Sequence, residues 1–485
     1  MPEILELSAL ELAAAIRRRQ LTSRAIVEAH ASRLRQLEPR INAVVGERFE
    51  QAVGEATAVD QRIAKAALRG GEDLDSSPLL GVPFTVVESI AVAGMPNSAG
   101  VAARGDYRPR QSATVVARLI DSGAIPLAVT NTSELALWIE TDNPLYGRTS
   151  NPYDPSRTAG GSSGGEAAAI GAGGSPFGVG ADIGGSIRLP ALFCGVFGHK
   201  PSSGLVPNTG IWPPIRREGA RLLGVGPLTR RAGDLMPLLH LIAGPDGKDM
   251  SVASMKLGDP ATVSLDGLQV TTIDDGSSLP ISRDLRDARE RAVGALVAAG
   301  ATRRRVSLPS WRRAILPYLA VLQDALGTDT SSLLAGAGER SHRLRDLVRD
   351  PRSHTPPTWI TLGLERISGL VAGEGSARRQ QLLESAQALT DGLREAIGDG
   401  VLVHPAHPTP APRHNRTLAR PWLMAPTALF DLAGVPVTEV PLGLGESGLP
   451  VGVQVAARSG ADHIAIAIAL ELEAVFGGWV PPPAL

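Results

Sequence analysis

Two serine-bearing glycine turns carry the chemistry this sequence could perform: GGSSGG from Gly160 to Gly165, and GADIGGSIRLPA from Gly180 to Ala191. A hydrolytic serine needs consecutive backbone N–H groups aimed at the oxygen that becomes negative. A run such as Ile183-Gly184-Gly185-Ser186 can curl without Cβ clashes to supply them, so Ser186 reads as a nucleophile. That tetrapeptide alone could equally be a glycine turn with an incidental serine; the second turn, around Ser162, tips the reading toward catalysis. Other reactive groups are weaker candidates. His404, His407 and His414 share one stretch, but it contains no Asp or Glu to complete a metal site and its prolines stiffen it. No metal or cofactor is expected. The single cysteine, Cys194, lies within ALFCGVFG and reads as a packed thiol.

The elements that must position these turns follow from periodicity. The Gly-, Ser- and Pro-rich region from about 143 to 210 resembles a flexible linker in composition, yet GVFGHKP and IRLPALF alternate close-packing apolar residues with turn formers. Its glycines are better explained as letting backbone approach a substrate. Upstream, LLGVPFTVV, SATVVARLIDSG and AIPLAVT give the strand–helix–strand rhythm of a covered sheet. A helix is predicted over 8–37, opened by a capping box of Ser8 and Glu11. Residues 267–310 read as strand, helix, strand. The segment 311–400 reads as mostly helical and variable, shaping a substrate entrance. Short strands resume from 401, before a closing helix at about 462–476. No internal repeat is apparent.

A chain of 485 residues is either two or three domains or one large α/β sheet. With 48 Lys plus Arg against 49 Asp plus Glu, the net charge of −1 provides no field to draw nucleic acid or an acidic membrane. The arginine runs at 17–19 and 303–305 read as solvated faces. The N-terminus places acidic residues before arginines, the reverse of a secretory signal, and HIAIAIALELEAVF is too short and too charged to span the about 20 residues a bilayer needs. With one cysteine and no need of a disulfide, the expected location is cytoplasmic.

In these motifs the sequence resembles the amidase-signature family, over nearly its whole length. The resemblance implies a single large α/β domain, a central mixed β-sheet covered by helices on both faces, with a helical lead-in over 1–75 and the core over 76–485. It further implies that Ser186 is the nucleophile, that Ser162 lies in a cis peptide and relays its proton, and that Ser163, Asp182 and Arg188 brace the turn. The backbone of Ile183, Gly184, Gly185 and Ser186 would form the oxyanion hole. SELALWIETDNPLYGR, FGHKPSSGLVPN, HPAHPTPAPRH and FGGWV look closest to the fatty acid amide hydrolase 2 branch. By that likeness Leu137 and Trp138 should flank an acyl channel, although both also fit a plain core. Vertebrate members of the branch carry an N-terminal membrane anchor, for which this sequence shows no candidate.

The departure lies in GVPFTVVESI, where Val87 stands at the position of the family's catalytic lysine. A buried lysine there takes the serine proton through Ser162 and returns it to the leaving nitrogen, and valine does neither. The expected partner is a small amide, ester or carbamate, and a homodimer is left open. The expected function is an amidase working through an acyl-serine and disabled at position 87. Alternatives are an esterase or carbamate hydrolase on the same serines, and a ligand-binding protein without catalysis. Valine here fits either a deliberate substitution that traps substrate or divergence toward binding or another chemistry. Lys200, Glu88 and Glu134 are not expected to replace the base.

Overall fold

A computed structural model describes residues 4–68, 77–215, 217–274, 279–308, 311–326, 330–334, 355–356, 358–359, 362–363, 375–418 and 420–483. The strands are β1 (Val44–Glu47), β2 (Pro83–Val87), β3 (Ile125–Thr130), β4 (Asp142–Asn143), β5 (Gly147–Arg148), β6 (Phe177–Asp182), β7 (Phe197–Lys200), β8 (Gly224–Thr229), β9 (Gln269–Ile273), β10 (Thr302–Val306), β11 (Val401–His404), β12 (Val437–Leu444) and β13 (Pro450–Ala457). All but β4 and β5 join one 11-stranded sheet, in the order β1-β3-β2-β6-β8-β7-β12-β13-β11-β9-β10. The sheet is mixed: β2 is parallel to both β3 and β6, while β8 is antiparallel to β6 and β7. β2, β3, β6 and β8 are buried at every position, the pattern of strands covered on both faces.

The strand–helix–strand reading of 79–130 corresponds to β2, a helix Thr114–Asp121 and β3; that of 267–310 corresponds to β9, a helix Arg283–Ala298 and β10. The capping box at Ser8 forms, with Ser8 Oγ accepting from the Glu11 N–H and Glu11 from the Ser8 N–H. The helix expected over 8–37 is two, Ala9–Arg17 and Ser23–Ile41. Arg19 enters the left-handed region at φ 57°, and Thr22 caps the second helix through the Ala25 N–H, so the break has its own start and stop signals. Within 311–400 helices span Ile315–Leu326 and Ala377–Ile397, and much of the remainder lies outside the described residues. No described helix is long and apolar enough to cross a membrane.

The helix Gly164–Gly171, which begins inside GGSSGG, is buried along its length and contains one acid, Glu166. Thr130 Oγ1 donates to Glu166 Oε2 at 2.7 Å and Thr85 Oγ1 donates to Oε1, which ties the helix to β3 and β2. A Cβ at Gly178 of β6 would collide with that carboxyl, so glycine is required for the contact. Burial pushes Glu166 up to about 8, against the opposing hydroxyls of Thr130 and Thr85. Between its ordinary 4.5 and about 8 the folded chain therefore keeps a proton that the unfolded chain has released. Stability from this group is full below the lower value and lost as pH rises through the upper one. Glu166→Gln is expected to flatten the fall of thermal midpoint across that window relative to the parent chain; identical slopes would contradict the assignment.

Candidate active site

The two serine turns meet at the C-terminal ends of β2, β3 and β6, the edge where open α/β sheets bind ligands. Ser162 and Ser186 line one cavity, and the Ser163 N–H donates to the Ser186 carbonyl at 3.2 Å. The Gly161–Ser162 peptide is cis. The Ser162 carbonyl accepts from the Ser133 N–H at 3.3 Å and from Thr141 Oγ1 at 3.0 Å, so β3's following loop grips the first turn. A Cβ on Gly161 would sit 2.5 Å from the Trp138 carbonyl oxygen, which leaves glycine alone admissible there.

The second turn is built around a buried ion network. Asp182 ends β6 and Arg188 opens the helix Arg188–Cys194; both side chains are fully buried. Arg188 donates from Nη2 to Asp182 Oδ1 at 2.9 Å and from Nε to Oδ2 at 3.0 Å, a forked pairing of fixed geometry. Its Nη2 also reaches Asp431 Oδ2 at 2.7 Å, and Nη1 reaches Gln454 Oε1 and the Thr427 carbonyl, each at 3.1 Å. Burial alone would raise Asp182, but the Arg188 charge and the N–H groups of Ile187 and Gly185 outweigh it and hold this carboxyl below its usual range. Burial holds Asp431 up at about 8 despite Arg188, because Asp182 faces the same guanidinium. One cation is thus shared by two carboxyls that are driven apart, Asp182 held down by its pairing and Asp431 held up by burial.

This network sets the turn from Ile183 to Ser186. The Gly185 N–H, expected among the oxyanion donors, is committed to Asp182 Oδ1 at 2.7 Å. Gly185 adopts φ 117°, and a Cβ there would meet Thr427 Oγ1 at 2.3 Å. The Gly184 carbonyl is held by Thr427 Oγ1 at 2.6 Å and the Ile183 carbonyl by Tyr318 Oη at 2.9 Å. Tyr318, Thr427, Asp431 and Glu166 are the positioning residues that sequence reasoning missed. Only Glu166 left a signal, as the lone acid in GGEAAAIGAGG.

Val87 closes β2 opposite Thr130 and is fully buried in the main apolar cluster. The carboxylates and lysine nearest to it in sequence reasoning are spoken for. Glu88 accepts from the Ser98 N–H at 2.5 Å, Ser98 Oγ at 2.7 Å, Tyr146 Oη at 3.1 Å and the Ala99 N–H at 2.7 Å. Ala99 in turn accepts from the Leu135 N–H at 2.8 Å, so Glu88 props the wall of the cavity. Glu134 accepts from Thr358 Oγ1 at 2.5 Å and the Thr355 N–H at 3.2 Å. Lys200, whose pKa burial lowers, donates to the carbonyls of Val435 at 2.8 Å and Pro201 at 3.2 Å. Among the described residues lining the cavity there is no titratable acid or base. Leu137 is part of that lining; Trp138 is not, and its indole N–H donates instead to Thr417 Oγ1 at 3.0 Å. The three histidines do not converge: His404, His407 and His414 bond the separate carbonyls of Pro405, Thr409 and Pro155.

The family model described as Amidase matches residues 25–465. The chain is 39% identical to fatty-acid amide hydrolase 2-B of Danio rerio and 39% identical to fatty-acid amide hydrolase 2 of Homo sapiens, in each case over 99% of this chain and 91% of the relative. The structure is similar to that of native peptide amidase from Stenotrophomonas maltophilia, with a TM-score of 0.78, 27% identity, and coverage of 99% of this chain and 98% of that one.

Removing the shared cation leaves two carboxyls buried without it. Arg188→Met is expected to cost roughly 3–5 kcal/mol in urea unfolding. Asp182→Asn is expected to cost more than Asp431→Asn, since Asp182 bears the charge. The reverse order would contradict the charge assignment.

Proposed function

This chain belongs to the amidase family, enzymes that hydrolyse C–N bonds, and on that premise we propose that it is an amidase of linear carboxylic amides disabled at position 87. The observation that carries the reading is that Ser162 and Ser186 line one cavity, beside a turn braced by Asp182 and Arg188, and that the described lining offers no base. In the reaction Ser186 Oγ attacks the carbonyl carbon, a C–O bond forms, and the carbonyl oxygen takes the negative charge. We assign its stabilisation to the turn's N–H groups other than Gly185's. Collapse breaks the C–N bond, the amine leaves with a proton, and water then cleaves the acyl-Ser186 ester.

The proton transfers are the weak point. Ser162 can relay a proton, but with valine at 87 it has no base behind it. Losing general base catalysis costs at least roughly 10²–10⁴ in rate, and more where the residues act as a unit. Amide cleavage suffers most, because the departing nitrogen must be protonated while an activated oxygen leaving group need not be. The same cavity therefore supports a second reading, residual hydrolysis of aryl esters or carbamates. The lone buried thiol, Cys194, suits a cytoplasmic setting.

Val87→Lys is expected to raise acyl anilide hydrolysis by at least roughly 10²-fold, with a smaller gain on matched aryl esters. Ser186→Ala in the same background is expected to abolish both. A folded lysine variant no faster than the parent on anilides would overturn the amidase reading and favour a ligand-binding role.

A further inference from the structure

The cavity holding Ser162 and Ser186 is walled largely by aliphatic groups such as Leu137, Ile183 and Leu223, yet it carries two polar groups that the reaction does not use. Ser89 and Trp212 both line it. Neither Ser89 Oγ nor Trp212 Nε1 has a hydrogen-bond partner among the described residues, although Ser89 is 1% exposed and Trp212 8%. Buried donors are almost always paired, so two orphans on residues that line one cavity point to a ligand group that satisfies them.

Backbone pairing sets them side by side. Residues 89–91 and 210–212 run antiparallel: the Trp212 N–H donates to the Ser89 carbonyl at 2.8 Å, the Ala91 N–H donates to the Gly210 carbonyl at 2.9 Å, and Ile90 bridges Ile211. Residues directly opposed in an antiparallel pair project to the same face. Ser89 and Trp212 are such a pair. The indole is further held by Arg104, whose guanidinium carbon lies 4.1 Å from the ring centroid and whose Nε donates to the Asn97 carbonyl at 2.8 Å.

We propose that Ser89 Oγ and Trp212 Nε1 form a subsite for one uncharged hydrogen-bond acceptor, a carbonyl or ether oxygen, within the otherwise apolar body of the substrate. An ammonium is excluded there because both groups are donors and the described lining offers no carboxylate, and a carboxylate is disfavoured because Arg104, the cation beside the indole, stacks on the ring and is not part of that lining. The proposal rests on the amidase reading and extends it from a reaction to a substrate class: amides with an oxygen-interrupted chain are preferred over amides with a plain hydrocarbon chain.

The test is isothermal titration of the chain as it stands with two series of anilides, one with an ether oxygen moved along the acyl chain and one with it moved along a ring substituent. Each is compared with its all-carbon parent. One oxygen position is expected to bind at least about fivefold more tightly than its parent, and the preference is expected to vanish in Ser89→Ala and in Trp212→Phe, each verified as folded by circular dichroism. Binding without any oxygen preference, or a preference that survives both substitutions, overturns the subsite while leaving the amidase reading intact. No binding by any anilide overturns both.

Discussion

Arg188 has no access to solvent, and everything around Ser186 is arranged to answer its charge. A guanidinium taken out of water is tolerated only when carboxylates and carbonyls replace its hydration. Here those groups come from β6, from the helix Ala425–Ala433 and from β13. The same Asp182 that pairs with Arg188 also takes the Gly185 N–H, so the ion pair and the shape of the turn are one structure. Tyr318 and Thr427 then fix the carbonyls of Ile183 and Gly184, which turns those peptide planes in a set direction.

Position 87 stands apart from that framework. Val87 is the last residue of a buried parallel strand, a place where a β-branched apolar side chain packs well. With valine there, the Asp182 network and the Glu166 contacts that seat the first turn are both intact. The fold thus assembles the Ser186 turn with an apolar residue at position 87.

The sequence made much of this legible because short-range pattern and backbone chemistry coincide there. GGSSGG and IGGS announce turns that only glycine permits, and GVPFTVVESI reads as a buried strand that ends on Val87. What escaped were partners supplied by tertiary packing. Asp431 lies more than two hundred residues from Arg188, within FDLAGVP, and nothing local marks it as the second carboxyl of a buried network. Tyr318 in ILPYLAVLQDAL reads as an ordinary core aromatic until its hydroxyl is seen on the Ile183 carbonyl. Trp138, which the family likeness put beside Leu137 at an acyl channel, follows left-handed backbone at Leu135 and Ala136, and its indole N–H donates to Thr417 Oγ1. The helix read as continuous over 8–37 broke at Arg19, because periodicity spans a short interruption that backbone angles do not.

The central claim is that Ser186 sits in a finished turn with no base to activate it. It is tested most directly by the rate at which a fluorophosphonate labels Ser186 in the chain as it stands, followed from neutral to alkaline pH. The account requires slow labelling that rises in proportion to hydroxide, without inflection. Fast labelling at neutral pH, or a rate that levels off above a defined titration, would reveal a working base and contradict it.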